Sequence, residues 1–299
     1  AGALWSLSSN SRANQDWIRA GDGVAPLVTL IGEGADHAQS QAAKALASVA
    51  MEHEENKGDV ARMVVDLLDS GKAVATKAAR AMRRLARACA ANQVSMATAG
   101  AIEKLVSLLA AEGPRGDSTL QTEIASALWS LADEHATNQA AIAEAGAVPL
   151  LVALLSGAPE AHRDAAGALW SLAANVDNQR LIACESGIVP LVRLLKESNP
   201  ATQETAAGAL CLLSETLADN RVMIADADGV AALVAIFEDR GTALAKQQAS
   251  GALANLVIKN TVNQYAVSRA LVSMLGNAAT SLLAQEHVTS LMLQLAQER

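Results

Sequence analysis

The sequence predicts an all-α solenoid, because one pattern of about forty residues returns along the whole chain. Its clearest copy contains the run Leu169-Trp170-Ser171-Leu172. The counterparts of Leu169 recur every 36 to 46 residues, at Leu4, Leu46, Met82, Leu128, Leu210, Leu253 and Met292. A repeat of this length is typical of helical units that cannot bury their apolar faces alone and therefore stack on their neighbours.

Each repeat is predicted to begin with a short first helix that follows an asparagine. These asparagines are Asn14, Asn56, Asn92, Asn138, Asn178, Asn220 and Asn263. An asparagine oxygen can accept hydrogen bonds from free backbone N–H groups, so we interpret these residues as helix N-caps.

A glycine corner should separate the first helix from the second. The corner glycines are Gly23, Gly100, Gly146, Gly187 and Gly229. Glycine adopts positive φ without steric cost, which allows a sharp turn there. Pro26, Pro149 and Pro190 follow three residues later, in the predicted first turn of the second helix, where proline's missing N–H does no harm.

The third helix is the longest, and its apolar residues define a buried stripe. In the clearest copy Ala165, Ala168, Leu169 and Leu172 lie at i, i+3, i+4 and i+7. We also expect Trp17 to be a core residue, because it stands in the place of Leu181.

Three units depart from this pattern. The units that begin at Asn56 and Asn263 are short and lack the corner glycine, so we expect their first helix to be lost or fused to the second. A further unit has an extended loop, Ala110 to Thr119, for which surface decoration is favoured over a binding role.

The order of short helix, glycine corner and two longer helices resembles the armadillo repeat. The run GALWSLA at 167–173 is similar to the β-catenin-like and the plant or protist armadillo-repeat-only proteins. This resemblance implies one right-handed superhelix over residues 1–299, with about seven repeats and only the third helix present at 1–9 and 285–299. Because the chain opens inside a third helix, we expect it to be a piece of a longer protein.

Composition narrows the function. The chain has 299 residues, of which 51% are hydrophobic, and its net charge of −8 argues against general nucleic-acid binding. No apolar run approaches the length of a membrane span, so we expect no membrane insertion. The isolated cysteines Cys89, Cys184 and Cys211 predict no disulfide framework and a reducing intracellular compartment, cytoplasmic or nuclear.

The sequence offers no support for catalysis. The histidines His37, His53, His135, His162 and His287 occupy scattered repeat positions and form no metal-ligand or nucleophile pattern. We therefore expect a non-enzymatic protein with no cofactor.

The candidate site lies on the side of the third helix next to the buried stripe, which the resemblance places in a concave groove. Its residues are Lys44, Arg80, Arg83, Arg84, Arg87, Trp129, Ser130, Trp170, Ser171 and Asn255. Nuclear-import adaptors of this family carry a tryptophan and asparagine ladder on this helix. Here only Asn255 stands at an asparagine place, so the chain is a poor match to that group.

Two clusters on this surface suggest binding. Four arginines at i, i+3, i+4 and i+7 repel one another, which an acidic or phosphorylated ligand would relieve. Neutralisation by acids such as Glu52, Glu54 and Glu55 is an equal alternative. Trp129 and Trp170 could clasp a ligand side chain, or could lie flat on neighbouring helices as packing, which is slightly favoured.

We therefore predict a protein-interaction scaffold that binds an extended, possibly acidic or phosphorylated, partner segment. A structural part of a larger assembly, docking through its convex or end surfaces, is one alternative. A regulatory domain of a larger enzyme is another.

Overall fold

The computed structural model describes residues 1–50, 54–87, 89–113, 115–197, 199–237, 241–276 and 282–297. These residues form twenty α-helices and no strand. The chain divides into two compact units, Ala1–Leu150 and Leu151–Arg299. The expectation of a single domain over residues 1–299 stays a prediction.

The helices of the first unit follow the repeat order. They are α1 (Gly2–Ser8), α2 (Arg12–Ala20), α3 (Val24–Glu33), α4 (Asp36–Ala50), α5 (Glu54–Asp66), α6 (Lys72–Ala86), α7 (Ala90–Thr98), α8 (Ala101–Glu112), α9 (Ser118–Ala132) and α10 (Ala136–Glu144). Helix α11 (Ala147–Leu154) comes next in the chain.

The second unit continues the same order. Its helices are α12 (Pro159–Leu172), α13 (Val176–Cys184), α14 (Ile188–Leu194), α15 (Pro200–Glu215), α16 (Ala218–Asp226), α17 (Gly229–Ala235), α18 (Ala243–Val257), α19 (Thr261–Leu275) and α20 (Leu282–Gln297).

Third helices of neighbouring repeats pack side by side within each unit. In the first unit α1, α4, α6 and α9 follow one another, and in the second α12, α15 and α18 do so. The predicted buried stripe is confirmed, since Ala165, Ala168, Leu169 and Leu172 are all buried. This burial fixes which side of each third helix remains available for a partner.

The two shortened units each contain one fused helix, as predicted. Helix α5 runs through the place of the first and second helices and ends in a 3-10 turn, Leu67–Asp69. Helix α19 is likewise continuous from Thr261 to Leu275.

The interpretation of the repeated asparagine as an N-cap is wrong. The cap lies three residues earlier, as at Ser11, His135, Asn175 and Asn260, whose side chains accept backbone N–H groups. The asparagine amide instead donates to a carbonyl of the preceding third helix over 2.7–3.2 Å. The acceptors are the carbonyls of Leu7, Val49, Leu85, Leu131, Leu172, Leu213 and Leu256.

The last carbonyls of a helix have no hydrogen-bond partner within that helix, and the repeated asparagine supplies a donor to one of them. The residue after the asparagine often donates to another of these carbonyls. Gln139 donates to the carbonyl of Ala132, and Arg221 donates to the carbonyls of Ser214 and Glu215. The first helix of a repeat therefore supplies hydrogen-bond donors to the C-terminal carbonyls of the third helix before it.

Positive φ explains only two of the five corner glycines. Gly100 and Gly146 have φ of 84°. At the other three corners the preceding residue takes the positive φ, as Ser186 does with 61°. Gly187 is needed there for a different reason: a Cβ on it would stand 2.9 Å from the carbonyl oxygen of Ile182.

Two further expectations need correction. Trp17 is not core, because its side chain is 72% exposed. The equivalent Leu181 is itself only partly buried, so this place cannot cover an indole. The loop predicted at Ala110 to Thr119 is shorter, because α8 continues to Glu112 and α9 begins at Ser118.

The predicted place of the prolines is confirmed, since Pro26, Pro149 and Pro190 lie in the first turn of a second helix.

Among the described residues no single helix is both long and apolar enough to cross a membrane. Two bent helix pairs, α7 with α8 and α10 with α11, meet that test in length and composition only.

Candidate functional site

We call the surface beside the buried stripe the third-helix face. In the first unit it is carried by α1, α4, α6 and α9, and in the second by α12, α15 and α18.

Helix α6 presents a row of four arginines on this face. Arg80 and Arg83 are partly buried, whereas Arg84 and Arg87 are exposed. Arg80, Arg83 and Arg84 lie on one side of α6 because their spacing follows the helical period, and Arg87 is the C-cap residue that directly follows the helix. The ligand-binding role of these four arginines stays a prediction.

Glu123 on the neighbouring helix α9 pairs with two of these arginines. Arg80 Nε donates to Glu123 Oε1 over 2.8 Å, and Arg83 Nη2 lies 3.7 Å from Glu123 Oε2. Glu123 is 9% exposed. The acids expected to neutralise the row cannot be compared with it, because Glu52 and the side chains of Glu54 and Glu55 lie outside the described part of the chain.

Lys44 on α4 contacts an aromatic ring. Its ammonium nitrogen lies 4.6 Å from the centroid of the Trp5 ring on α1, which is a cation–π contact. Both side chains are exposed, so they extend the cationic surface of α6 toward α1.

Trp129, Ser130 and Asp133 belong to α9 and its C-terminal end. Trp129 and Ser130 are partly buried, and the Ser130 carbonyl accepts a hydrogen bond from Gln93. Desolvation raises the pKa of Asp133, the Glu134 charge raises it further, and the charge of Arg87 lowers it. Arg87 therefore interacts electrostatically with the next third helix.

In the second unit the third-helix face is more closely packed. The Trp170 indole lies over Gly208, where a Cβ would stand 2.4 Å from ring atom Cε2. One repeat later Cys211 takes the same place, with its Sγ 2.8 Å from a Cβ built on Gly251. This is the packing arrangement considered for the tryptophans, and a role of Trp170 in ligand contact stays a prediction.

The remaining predicted residues of this unit are also partly buried. Asn255 Nδ2 donates to the Cys211 carbonyl over 3.1 Å and lies 3.2 Å from Ser214 Oγ, so it links α18 to α15. Ser171 lies beside Trp170 on α12. Burial, and to a lesser degree the Glu215 charge, raises the pKa of the Cys211 thiol to about 11. That thiol therefore stays protonated at neutral pH.

The described residues contain no group of three or more histidine, cysteine, aspartate or glutamate side chains that could hold a metal ion. His162, the most buried histidine among the described side chains, has structural contacts. Its Nδ1 lies 2.8 Å from Glu197 Oε1 and its Nε2 lies 3.2 Å from the Gly157 carbonyl, so it ties α12 both to the loop before it and to the segment between α14 and α15.

The sequence analysis missed Glu123. The equivalent place holds Asp164 on α12 but Gln41 on α4 and Gln248 on α18, so the repeat pattern does not by itself predict an acid there. An acidic residue 43 positions after Arg80, about one repeat, was the available signal.

The comparisons with known proteins agree on the fold. The Armadillo/beta-catenin-like repeat family matches residues 136–174 and 175–215. An engineered protein solved by the Northeast Structural Genomics Consortium is 28% identical over 98% of this chain and 73% of its own, with a TM-score of 0.73. A second engineered protein from the same consortium is 30% identical over 78% of this chain and 96% of its own, with a TM-score of 0.66.

A designed armadillo repeat protein, in complex with peptide (KR)4, is 20% identical over 78% of this chain and 99% of its own, with a TM-score of 0.62. At that identity the likeness concerns the fold alone. No curated protein matches the chain. The repeated helices, the family match and the structural neighbours lead to one conclusion: the chain belongs to the armadillo-repeat proteins.

Proposed function

We propose that this protein is a non-enzymatic scaffold that binds an extended acidic or phosphorylated segment of a partner protein. The binding surface is the third-helix face of the first unit. The observation that carries the proposal is the row of Arg80, Arg83, Arg84 and Arg87 on α6, with Lys44 on the adjacent α4.

The charge arrangement supports an anionic ligand. Like charges at i, i+3 and i+4 destabilise a helix by about 0.2–0.5 kcal/mol per pair, and Glu123 offsets part of this repulsion at Arg80 and Arg83. Guanidinium groups bind carboxylates and phosphates through paired hydrogen bonds, and a phosphate also brings three acceptor oxygens. A phosphorylated segment would therefore gain most from this surface.

The architecture supports an extended ligand. Four third helices lie side by side in the first unit, so one continuous chain could contact several repeats. A designed protein of the same fold holds the peptide (KR)4, which supports peptide binding as a use of this architecture. The described cysteines Cys89, Cys184 and Cys211 are free, which supports a reducing intracellular setting for the interaction.

Fluorescence anisotropy with two labelled octapeptides tests the proposal. Both peptides consist of glycine and serine, and they carry either two glutamates or two phosphoserines at matched positions. The wild type should bind the phosphoserine peptide more tightly, and added salt should weaken binding.

The decisive variant is the double change Arg83→Glu, Arg87→Glu. Because it reverses two charges on the face, affinity for the phosphoserine peptide should fall by about tenfold or more. The control is Arg180→Glu, Arg269→Glu, which makes the same charge change at exposed residues of α13 and α19. Equal binding by the wild type and the Arg83, Arg87 variant would reject the proposal, as would no binding by the wild type.

A further inference from the structure

Glu123 stands out as an acid inside the cationic face. Its Oε1 accepts from Arg80, yet its Oε2 is buried and has no hydrogen-bond partner among the described residues. Arg83 lies 3.7 Å from that oxygen, which is too far for a hydrogen bond. The carboxylate is therefore held by one hydrogen bond from Arg80 and by the nearby charge of Arg83.

The repeat itself does not require an acid at this place. The equivalent residues are Gln41 on α4, Lys77 on α6, Asp164 on α12, Thr205 on α15 and Gln248 on α18, so acidic, basic and uncharged side chains all occur there. Burying a carboxylate with one oxygen unsatisfied is costly, and an uncharged residue would avoid that cost. Since glutamine and threonine are compatible with this place, folding alone does not explain why it holds the acid Glu123, and a further reason is needed.

That reason follows from its position. Glu123 sits against Arg80 and Arg83, where the oxygens of an acidic ligand would otherwise approach the same guanidinium groups. We propose that Glu123 is a built-in counter-anion that lowers the affinity of the arginine row for acidic ligands. The inference rests on the proposed function, and it adds that Glu123 limits the affinity with which the arginine row binds its ligand.

The proposal has a distinctive electrostatic signature. Coulomb energy is proportional to the product of the charges, so removing one negative charge favours a ligand in proportion to the ligand's own charge. A phosphoserine carries about −1.5 to −2 at neutral pH, against −1 for glutamate. The gain in the logarithm of affinity should therefore be about twice as large for the phosphoserine peptide. A change in packing alone would favour both peptides equally.

The test is Glu123→Gln with the two octapeptides described above. Glutamine keeps an oxygen that can accept from Arg80 Nε, and Gln41 shows that it is compatible with a third helix. We expect about threefold tighter binding of the glutamate peptide and about tenfold tighter binding of the phosphoserine peptide at low salt. The glutamate-to-glutamine control is Glu103→Gln, an exposed residue of the second helix α8, and it should change neither affinity.

A second variant, Glu123→Thr, copies Thr205 and keeps the test informative if glutamine disturbs the helix. Urea unfolding checks that each variant is folded. If the wild type binds both peptides and neither Glu123 variant binds more tightly, the inference is overturned while the proposed function stands. Equal gains for the two peptides would also overturn it. If neither the wild type nor the Glu123 variants bind, the proposed function and this inference are both rejected.

Discussion

The indole of Trp170 lies so close to Gly208 that no side chain fits between them. A Cβ on Gly208 would stand 2.4 Å and 2.5 Å from two carbon atoms of the ring. Carbon atoms pack best at about 3.5–4.0 Å, so even a methyl group would have to displace the ring. The glycine of one repeat and the tryptophan of the previous repeat therefore form one packing unit.

Gly208→Ala should destabilise the protein. Alanine favours a helix by about 1 kcal/mol over glycine, but overpacking costs about 1–3 kcal/mol, and the short distance makes the second effect larger. We expect a net loss in the free energy of unfolding, measured in urea. In a Trp170→Ala background the same change should be neutral or stabilising, because the obstructing ring is gone.

Gly58→Ala is the matched control for this experiment. Gly58 lies within α5, and a Cβ built there meets nothing within 4 Å. This substitution should stabilise the protein by up to about 1 kcal/mol. If Gly208→Ala were stabilising too, the close contact with Trp170 would be refuted.

Asn138→Ala should weaken the junction between α9 and α10. Asn138 is buried, and its amide donates over 2.8 Å to the carbonyl of Leu131 and over 3.4 Å to that of Gln93. Its removal leaves buried acceptors without a donor, which costs about 1–3 kcal/mol of unfolding free energy.

The replacement Asn138→Asp separates this explanation from lost packing. Aspartate has nearly the same shape but no donor, so it should be at least as harmful as alanine. The neighbouring exposed change Thr137→Ala serves as the control in the same urea experiment. A well-tolerated Asn138→Asp would contradict the carbonyl-donor role.

Glu112 should make stability depend on pH in the acid range. Its Oε1 lies 2.7 Å from Lys72 Nζ, and its Oε2 accepts from the Asp117 amide over 2.8 Å. The hydrogen bond from Lys72, followed by that from Asp117, lowers the pKa of Glu112 below its ordinary value.

A carboxylate whose folded-state pKa is lowered stabilises the protein above its unfolded-state pKa, and this stabilisation is lost as the pH falls through the folded-state value. Glu112→Gln should therefore flatten the fall in stability on acidification below the ordinary glutamate pKa. Thermal unfolding as a function of pH measures this effect, with the exposed Glu144→Gln as control. A fall as steep as that of the wild type would exclude the contribution of Glu112.

The sequence predicted the repeat from spacing of about forty residues along the chain, and it predicted the buried stripe and the arginine row from spacing within one helix. Leu169 and Arg80 occupy places that the helical period alone determines. The link between Arg80 and Glu123 depends on how α6 and α9 are aligned, and a single helix contains no information about that alignment.

The role of the repeated asparagine was misread for a related reason. A polar residue near a helix start can cap its own helix or donate to another one, and the acceptor of Asn138 lies seven residues back, in α9. His135 and the other capping residues three positions earlier were the available clue. For Trp17, the place that it shares with Leu181 favoured burial, but that place is only partly buried and leaves the larger indole exposed.

The asparagine junctions also determine where this chain can be divided. A fragment that ends with α9, at Ala132, loses Asn138 and leaves the last carbonyls of its final helix without these donors. A fragment that ends with α8, at Glu112, keeps α7, whose Asn92 donates to the Leu85 carbonyl of α6. Stable fragments of this protein should therefore end after a second helix, so that the natural unit of autonomous folding is offset from the unit of sequence repetition.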